Sequence, residues 1–358
     1  MDTEHNTSLG RRMSRKGFLK GLAATGALAA GWSIVGCQPQ AAAPSTAKGT
    51  SRTAFEAETG GTSVYTSVVW IPFFVGEKLG YFAEEGIKQS FTDFKGGGDA
   101  VRGLATGAIQ YMGTGIPPLA NAFVKGETVK IIAGAWGVAQ ILAWIVPKDS
   151  PIKGIKDIKG KKVSISTPGS LTDFFARRAV KAAGLTPQEV QLIPVGSDAD
   201  SWTAAKTGII DVAWSTDVLG YKLIRQNEAR ILWFTRELVP AWEDFVIAST
   251  DRFIQERPDV LKGFVRAYQK SLDFVAKDRE AAAKIWVEYA TEIPIEIANL
   301  VLKDVPNEAL TTKLSSAGLR VADEGMVEIG MTKEPIPWDK FIDQQFMPEN
   351  LRIDISKR

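Results

Sequence analysis

The chain has 358 residues, with 43 Lys and Arg against 41 Asp and Glu, one His and one Cys. His5 and Cys37 both lie near the start, so the rest can form no disulfide, no His or Cys metal site and no catalytic triad with a His base. Five of the basic and two of the acidic residues fall within residues 1–36. The remainder of the chain is close to neutral, which gives nucleic-acid binding no electrostatic support.

Asp2 to Lys20 is polar and basic, and Gly21 to Val35 is apolar and small. A basic stretch, a short apolar run and a small residue before a cut site predict a signal peptide over residues 1–36. The run is too short to span a bilayer, which takes about 20 apolar residues. Ile34-Val35-Gly36-Cys37 resembles the lipobox of bacterial lipoproteins, which implies lipidation of Cys37. Ser14-Arg15-Lys16-Gly17-Phe18-Leu19-Lys20 resembles the twin-arginine export motif, with Lys16 where the second Arg belongs. Both the twin-arginine and the general secretory routes stay open. Residues 37–62, rich in Ala, Pro, Ser, Thr and Gly, are expected to form a flexible tether.

From Val64 on, short apolar runs alternate with helical patterns. Val64 to Val69 reads as a strand. A helix comes next, with Pro72 in its first turn, and ends at Gly86. Ile87 to Phe94 is a strand. Gly96-Gly97-Gly98 makes a turn, and Asp99 is expected to cap a helix through Thr106. Ile109 to Met112, Val129 to Ala133 and Leu142 to Val146 are further strands. The alternation predicts an α/β layer with a parallel sheet. Similar signals recur about a hundred residues later: Gly184-Leu185 echoes Gly86-Ile87, and Thr207-Gly208-Ile209-Ile210 echoes Thr106-Gly107-Ala108-Ile109. Two lobes on one plan are expected, with a cleft between the loops at the carboxyl ends of their strands. After the strand Asp244 to Ala248 the pattern is mainly helical. Val260, Leu261, Phe264, Val265, Tyr268, Leu272 and Val275 fall at helical spacing and read as core.

Several ordered stretches carry a family likeness: Glu77-Lys78-Leu79-Gly80-Tyr81-Phe82-Ala83-Glu84-Glu85-Gly86-Ile87, Leu104-Ala105-Thr106-Gly107, Lys125-Gly126-Glu127-Thr128-Val129-Lys130, Ile155-Lys156-Asp157-Ile158-Lys159-Gly160 and Ala182-Ala183-Gly184-Leu185-Thr186-Pro187. The chain resembles the periplasmic solute-binding proteins of ABC importers for nitrate, sulfonate and taurine, a superfamily that includes thiamine-precursor (pyrimidine) binding proteins. The resemblance covers about residues 64–290. It implies a two-lobed type II periplasmic binding protein fold, with the ligand in the cleft between the lobes. Residues 63–146 and 244–358 would form one lobe and 147–243 the other. It further implies a monomer in the periplasm or on the outer face of the cell membrane, partnered by a permease and its ATPase. No cofactor, metal or catalysis is expected, because the Cys-rich motif and His of enzymatic relatives are missing.

Ser166, Thr167, Gly169 and Ser170 lie between a strand and a helix N-terminus, where backbone donors and dipole suit an anion. The resemblance places Ser170 and Thr167 at the ligand. Trp70, Phe73, Thr114 and Gly115 sit in carboxyl-end loops of the first lobe, and Gly97 lies in a turn that permits close backbone approach. Trp136 and Gln140 lie near one crossover and Trp242 near the other. Trp214 and Asp217 come after a second-lobe strand. The aromatic side chains are expected to wall the organic part of the ligand. An inward Asp217 would favour an amine or aromatic heterocycle instead. The rivals to a receptor are a sensory lipoprotein and an exported carboxylate enzyme.

Overall fold

The computed structural model describes residues 54–137, 142–239 and 241–357. The expected signal peptide, Cys37, the first part of the tether and Gln140 lie outside the described residues.

Residues 55–62, expected as the end of a tether, do not form one. Phe55–Thr62 forms strand β1, paired in parallel with β2 (Ile87–Phe94) from Phe55↔Ile87 to Thr62↔Phe94. The Gly and Thr content that suggests a linker has a packing cause here. A Cβ on Gly60 would lie 2.6 Å from the Phe94 ring, and one on Gly61 would lie 2.3 Å from the Trp70 ring. Val64–Val69, expected as the first strand, is instead a turn followed by the single helical turn Val68–Trp70. That turn runs into helix α1 (Ile71–Lys78), with Pro72 near its start, and then the short α2 (Tyr81–Glu84).

The alternation then tracks the sequence signals closely. Helix α3 (Gly97–Thr106), strand β3 (Tyr111–Thr114), helix α4 (Ile116–Phe123) and strand β4 (Val129–Trp136) come in order. The residue before α3 is Gly96, so Asp99 does not cap the helix; it sits in the first turn and pairs with Arg102. After the first crossover come β5 (Leu142–Pro147), β6 (Lys162–Ile165), α5 (Leu171–Ala182), β7 (Gln191–Pro194) and α6 (Asp198–Lys206). Strand β8 (Ala213–Thr216), helix α7 (Asp217–Arg225) and strand β9 (Ala229–Phe234) complete this half. The chain returns through β10 (Phe245–Thr250) to α8 (Asp251–Glu256), α9 (Pro258–Lys277), α10 (Arg279–Tyr289), α11 (Ile295–Lys303), α12 (Ser316–Glu328) and α13 (Trp338–Phe341).

The strands fall into separate sheets. One has the order β2-β1-β3-β10-β4, a second β8-β5-β9, and β6 pairs with β7. A bridge from Val163 to Val212 and the hydrogen bond from Ser164 N–H to the Val212 carbonyl tie the last two together. The sheets are not purely parallel as expected. β10 runs antiparallel between β3 and β4, and β5 runs antiparallel to β8 and β9. Both exceptions are the strands that receive the chain directly from a crossover.

Every residue of the expected α9 stripe is buried. α9 and α10 pack against α1, so the helical C-terminal part covers the five-stranded sheet. Full burial of a side chain such as Phe264 or Leu272 stabilises by about 1.5–3 kcal/mol.

Candidate functional site

A cavity opens where several helices begin. Its wall includes Ser67, Gly97, Gly115, Ser170, Thr216 and Trp214, around a small volume of about 40 Å³. Ser67, Gly97 and Gly115 belong to the five-stranded half, and Ser170, Trp214 and Thr216 to the other half. Four of these residues stand at or beside helix starts: Gly97 opens α3, Gly115 precedes α4, Ser170 precedes α5 and Thr216 precedes α7. Strands that end at the cavity and turn at once into helices aim their first backbone N–H groups at one place. Each start also carries partial positive charge. Pro117 and Pro118 remove two donors from α4, leaving that helix a smaller part.

The side-chain donors reinforce this. Ser67 is 2% exposed and its Oγ has no partner; the Trp214 Nε1 donor is likewise buried without one. Ser166, Ser170 and Thr172 form a buried hydroxyl cluster, with Oγ separations of 2.8–3.1 Å. The Ser170 hydroxyl also accepts the Asp173 N–H at 3.2 Å and so caps α5. No charged side chain lines this cavity among the described residues. The wall can therefore donate many hydrogen bonds and supplies no full positive charge.

An adjoining chamber shares Leu142 and Thr216 with the first and is lined beyond them by parts of α7, β9 and α11. Asp217 is on its wall. Burial pushes the Asp217 carboxyl up to about 8, against the pull of the Val218 and Val68 N–H groups. Asp198 accepts the Thr216 hydroxyl at 2.5 Å, and burial raises its pKa too. Asp93 is raised by burial and by the charge of Asp198.

Of the expected contacts, Gly97, Thr114, Gly115, Ser166, Ser170 and Trp214 line the first cavity and Asp217 lines the second. The other rings do not reach either wall. Trp70 is fully buried, donates to the Thr62 carbonyl at 3.1 Å and packs on Phe73 and Phe245. Phe73 lies among Trp70, Phe264 and Tyr268. Trp136 is fully buried, and Trp242 stacks on Phe174 at 4.8 Å. At these positions the area gained by burying a large ring in the core prevails over a place in the cleft. Thr167 stands against Gly96, where a Cβ would come within 2.4 Å of it, and so joins the two halves beside the cavity rather than lining it. Gly169 takes a positive φ of 78°, and its N–H is consumed by Asp173 at 2.7 Å. Asp173 also pairs with Arg177 at 2.8 Å, so its charge is held within α5.

Ser63, Ser67, Thr172 and Thr216 escape a reading of the sequence. Ser67 falls inside the expected strand and Ser63 just before it, and Thr216 looks like a plain strand end. For Ser67 and Thr216 the available signal is a hydroxyl residue directly before a helix start; Ser63 and Thr172 carry no such signal.

This architecture defines a periplasmic binding protein fold. The alkanesulfonate-binding protein SsuA from Xanthomonas axonopodis pv. citri, solved bound to MOPS, aligns at a TM-score of 0.70 and 16% identity, over 81% of this chain and 98% of that one. The periplasmic nitrate-binding protein NrtA from Synechocystis PCC 6803 aligns at 0.65 and 15% identity, over 80% and 84%. Residues 67–282 match the family described as NMT1/THI5 like, and the chain belongs to that family. A Bacillus subtilis (strain 168) protein, provisionally named an aliphatic sulfonates-binding protein, is 24% identical over 267 residues, 70% of this chain and 76% of that protein.

Proposed function

We propose that this chain is the solute-binding component of an ABC import system and captures a small organic oxyanion, a sulfonate first and nitrate second. The observation that carries the reading is the cavity ringed by four helix starts and by the Ser67 and Trp214 side chains, without a charged side chain among the described residues. Oxyanions accept several hydrogen bonds at once, and those to a charged group contribute about 1.5–3 kcal/mol each. The names borne by the similar proteins agree with this ligand class. In this reading residues 54–146 with 244–358 form one lobe and 147–243 the other. Closure of the lobes traps the ligand, Cys37 tethers the exported monomer by lipid, and a permease with its ATPase receives the solute. The chain performs no catalysis.

Calorimetric titration with sodium methanesulfonate and sodium nitrate tests the ligand class. Binding of either, weakened by Ser170→Ala, supports it. Tight binding of a neutral pyrimidine, insensitive to Ser170→Ala and with no response to either anion, would remove it. That second reading, an amine or aromatic heterocycle, draws on Asp217, which lies on the wall of the adjoining chamber.

A further inference from the structure

The ends of β6, β7 and β8 farthest from the cavity carry a chemistry of their own. β6 and β7 run parallel, and the bridge from Val163 to Val212, just before β8, is parallel too. The three strands therefore enter together at one end and lead to the cavity at the other, where Ser166 and Thr216 stand. Hydrogen bonds gather the entry loops. The Gly160 N–H donates to the Glu189 carbonyl at 2.7 Å, the Gln191 N–H to the Lys161 carbonyl at 2.9 Å and the Asp211 N–H to the Lys162 carbonyl at 2.9 Å.

This end is basic in a chain that is otherwise close to neutral. Residues 148–162 hold six lysines against Asp149 and Asp157. Lys153, Lys156, Lys159 and Lys162 are exposed and Lys161 is half-buried. Lys159 pairs with Glu189 at 2.9 Å, but Lys153, Lys156, Lys161 and Lys162 have no acidic partner among the described residues. The carboxylates close by are turned to the backbone: Asp157 accepts the Lys153 and Gly154 N–H groups, and Asp211 accepts that of Lys162. Ile209 supplies a second, independent observation. It stands in the loop that enters β8 and is 59% exposed, more than any other large apolar side chain among the described residues, whereas Ile210 beside it is buried. Gly208 turns the chain there with a φ of 73°, and the exposed Lys206 comes just before it.

We infer that this strand-entry end is a docking surface for an anionic lipid bilayer, with Lys153, Lys156, Lys161, Lys162 and Lys206 at the lipid phosphates and Ile209 just below them among the first acyl carbons. Lysine stems cover apolar surface while their ammonium groups stay in the polar layer. Each basic residue near an anionic membrane strengthens binding about fivefold. An acidic protein surface would answer the lysines but would leave the exposed isoleucine against charge; a bilayer answers both. None of these residues lines either cavity, so the surface is independent of the ligand reading. Docked this way, the protein rests on the membrane with its cavity end turned away from the lipid and open to solute.

The test is flotation of the full chain with vesicles of phosphatidylcholine alone and with phosphatidylglycerol added, at low and at high salt. Binding should be tighter to the anionic vesicles and should weaken with salt. Lys161→Gln combined with Lys162→Gln should lower partition into anionic vesicles about 25-fold. Ile209→Ser should lower it several-fold without changing the salt dependence. Lys284→Gln, on α10 in the other half, should leave it unchanged. Residues 1–53 are common to every variant, so the differences belong to this surface, and thermal unfolding confirms that each variant folds. Binding to anionic vesicles that is insensitive to the lysine pair or to Ile209→Ser would overturn the inference. Soluble polyglutamate bound as tightly as the anionic vesicles, with no response to Ile209→Ser, would overturn it too and make the partner an acidic protein.

Discussion

The Asp217 Oδ2 atom accepts the backbone N–H of Val68 at 3.4 Å, which joins the start of α7 to the turn leading into α1. The two residues lie 149 positions apart, in different halves of the fold. The bond is long, and the carboxyl is held near a pKa of about 8 chiefly by burial. Near neutral pH the group is largely protonated, so it brings little negative charge to the neighbouring oxyanion cavity.

Stability should depend on pH through this group. A carboxyl whose folded pKa lies above its unfolded value binds a proton more readily in the native state. Its contribution is fully present below about pH 4 and is lost as pH rises through about 8. Asp217→Asn should therefore stabilise the protein at pH 8 relative to pH 5, compared with wild type, by roughly 1–3 kcal/mol. Denaturant unfolding at the two values measures this. Asp93 and Asp198 are also raised, so a residual slope should persist in the variant. Identical slopes in variant and wild type would contradict the assignment.

Anion affinity should track the same titration. As Asp217 ionises above about pH 8, its charge repels the head group, and methanesulfonate should bind more weakly at pH 9 than at pH 6. Asp217→Asn should remove most of that difference. Affinity that rises with pH in wild type would be incompatible with an oxyanion beside this carboxyl.

Ser170→Ala should weaken oxyanion binding by about 1.5–3 kcal/mol, the value of a hydrogen bond to a charged group. The same change removes the α5 cap and should cost about 1 kcal/mol of stability. The two effects separate because affinity is measured on the folded variant. An affinity equal to wild type, with stability lowered as expected, would make Ser170 a cap only.

Gly61→Ala should destabilise the fold by about 1–3 kcal/mol through overpacking. Its Cβ would lie 2.3 Å from the Trp70 ring and 2.5 Å from the Gly113 carbonyl oxygen. Thermal unfolding decides it. An unchanged midpoint would mean that residues 55–62 behave as the tether their composition suggests.

The contrast between Gly61 and Ser170 marks what the sequence can disclose. Ser166 and Ser170 are legible as wall residues because they follow a strand and lead into a helix, although capping of α5 alone accounts for a hydroxyl at Ser170. The α9 stripe is legible because helical spacing alone sorts buried from exposed positions. β1 is not, because Gly60 and Gly61 are demanded by rings that approach from Phe94 and Trp70, and the order of residues gives no sign of that approach. Trp70, Trp136 and Trp242 stand near the cleft in sequence, but their rings turn into the core, a choice made by tertiary packing. Asp217 resembles a helix cap in sequence; the cap position belongs to Thr216, whose hydroxyl donates to Asp198.

The central claim is that an oxyanion head sits among neutral donors at the converging helix starts. A crystal structure with a bound alkanesulfonate tests it most directly. The account predicts sulfonate oxygens within about 3.2 Å of the Trp214 Nε1 and the Ser67 Oγ, two donors left without partners in the protein alone. A sulfonate held elsewhere, with both donors still unpaired, would contradict it.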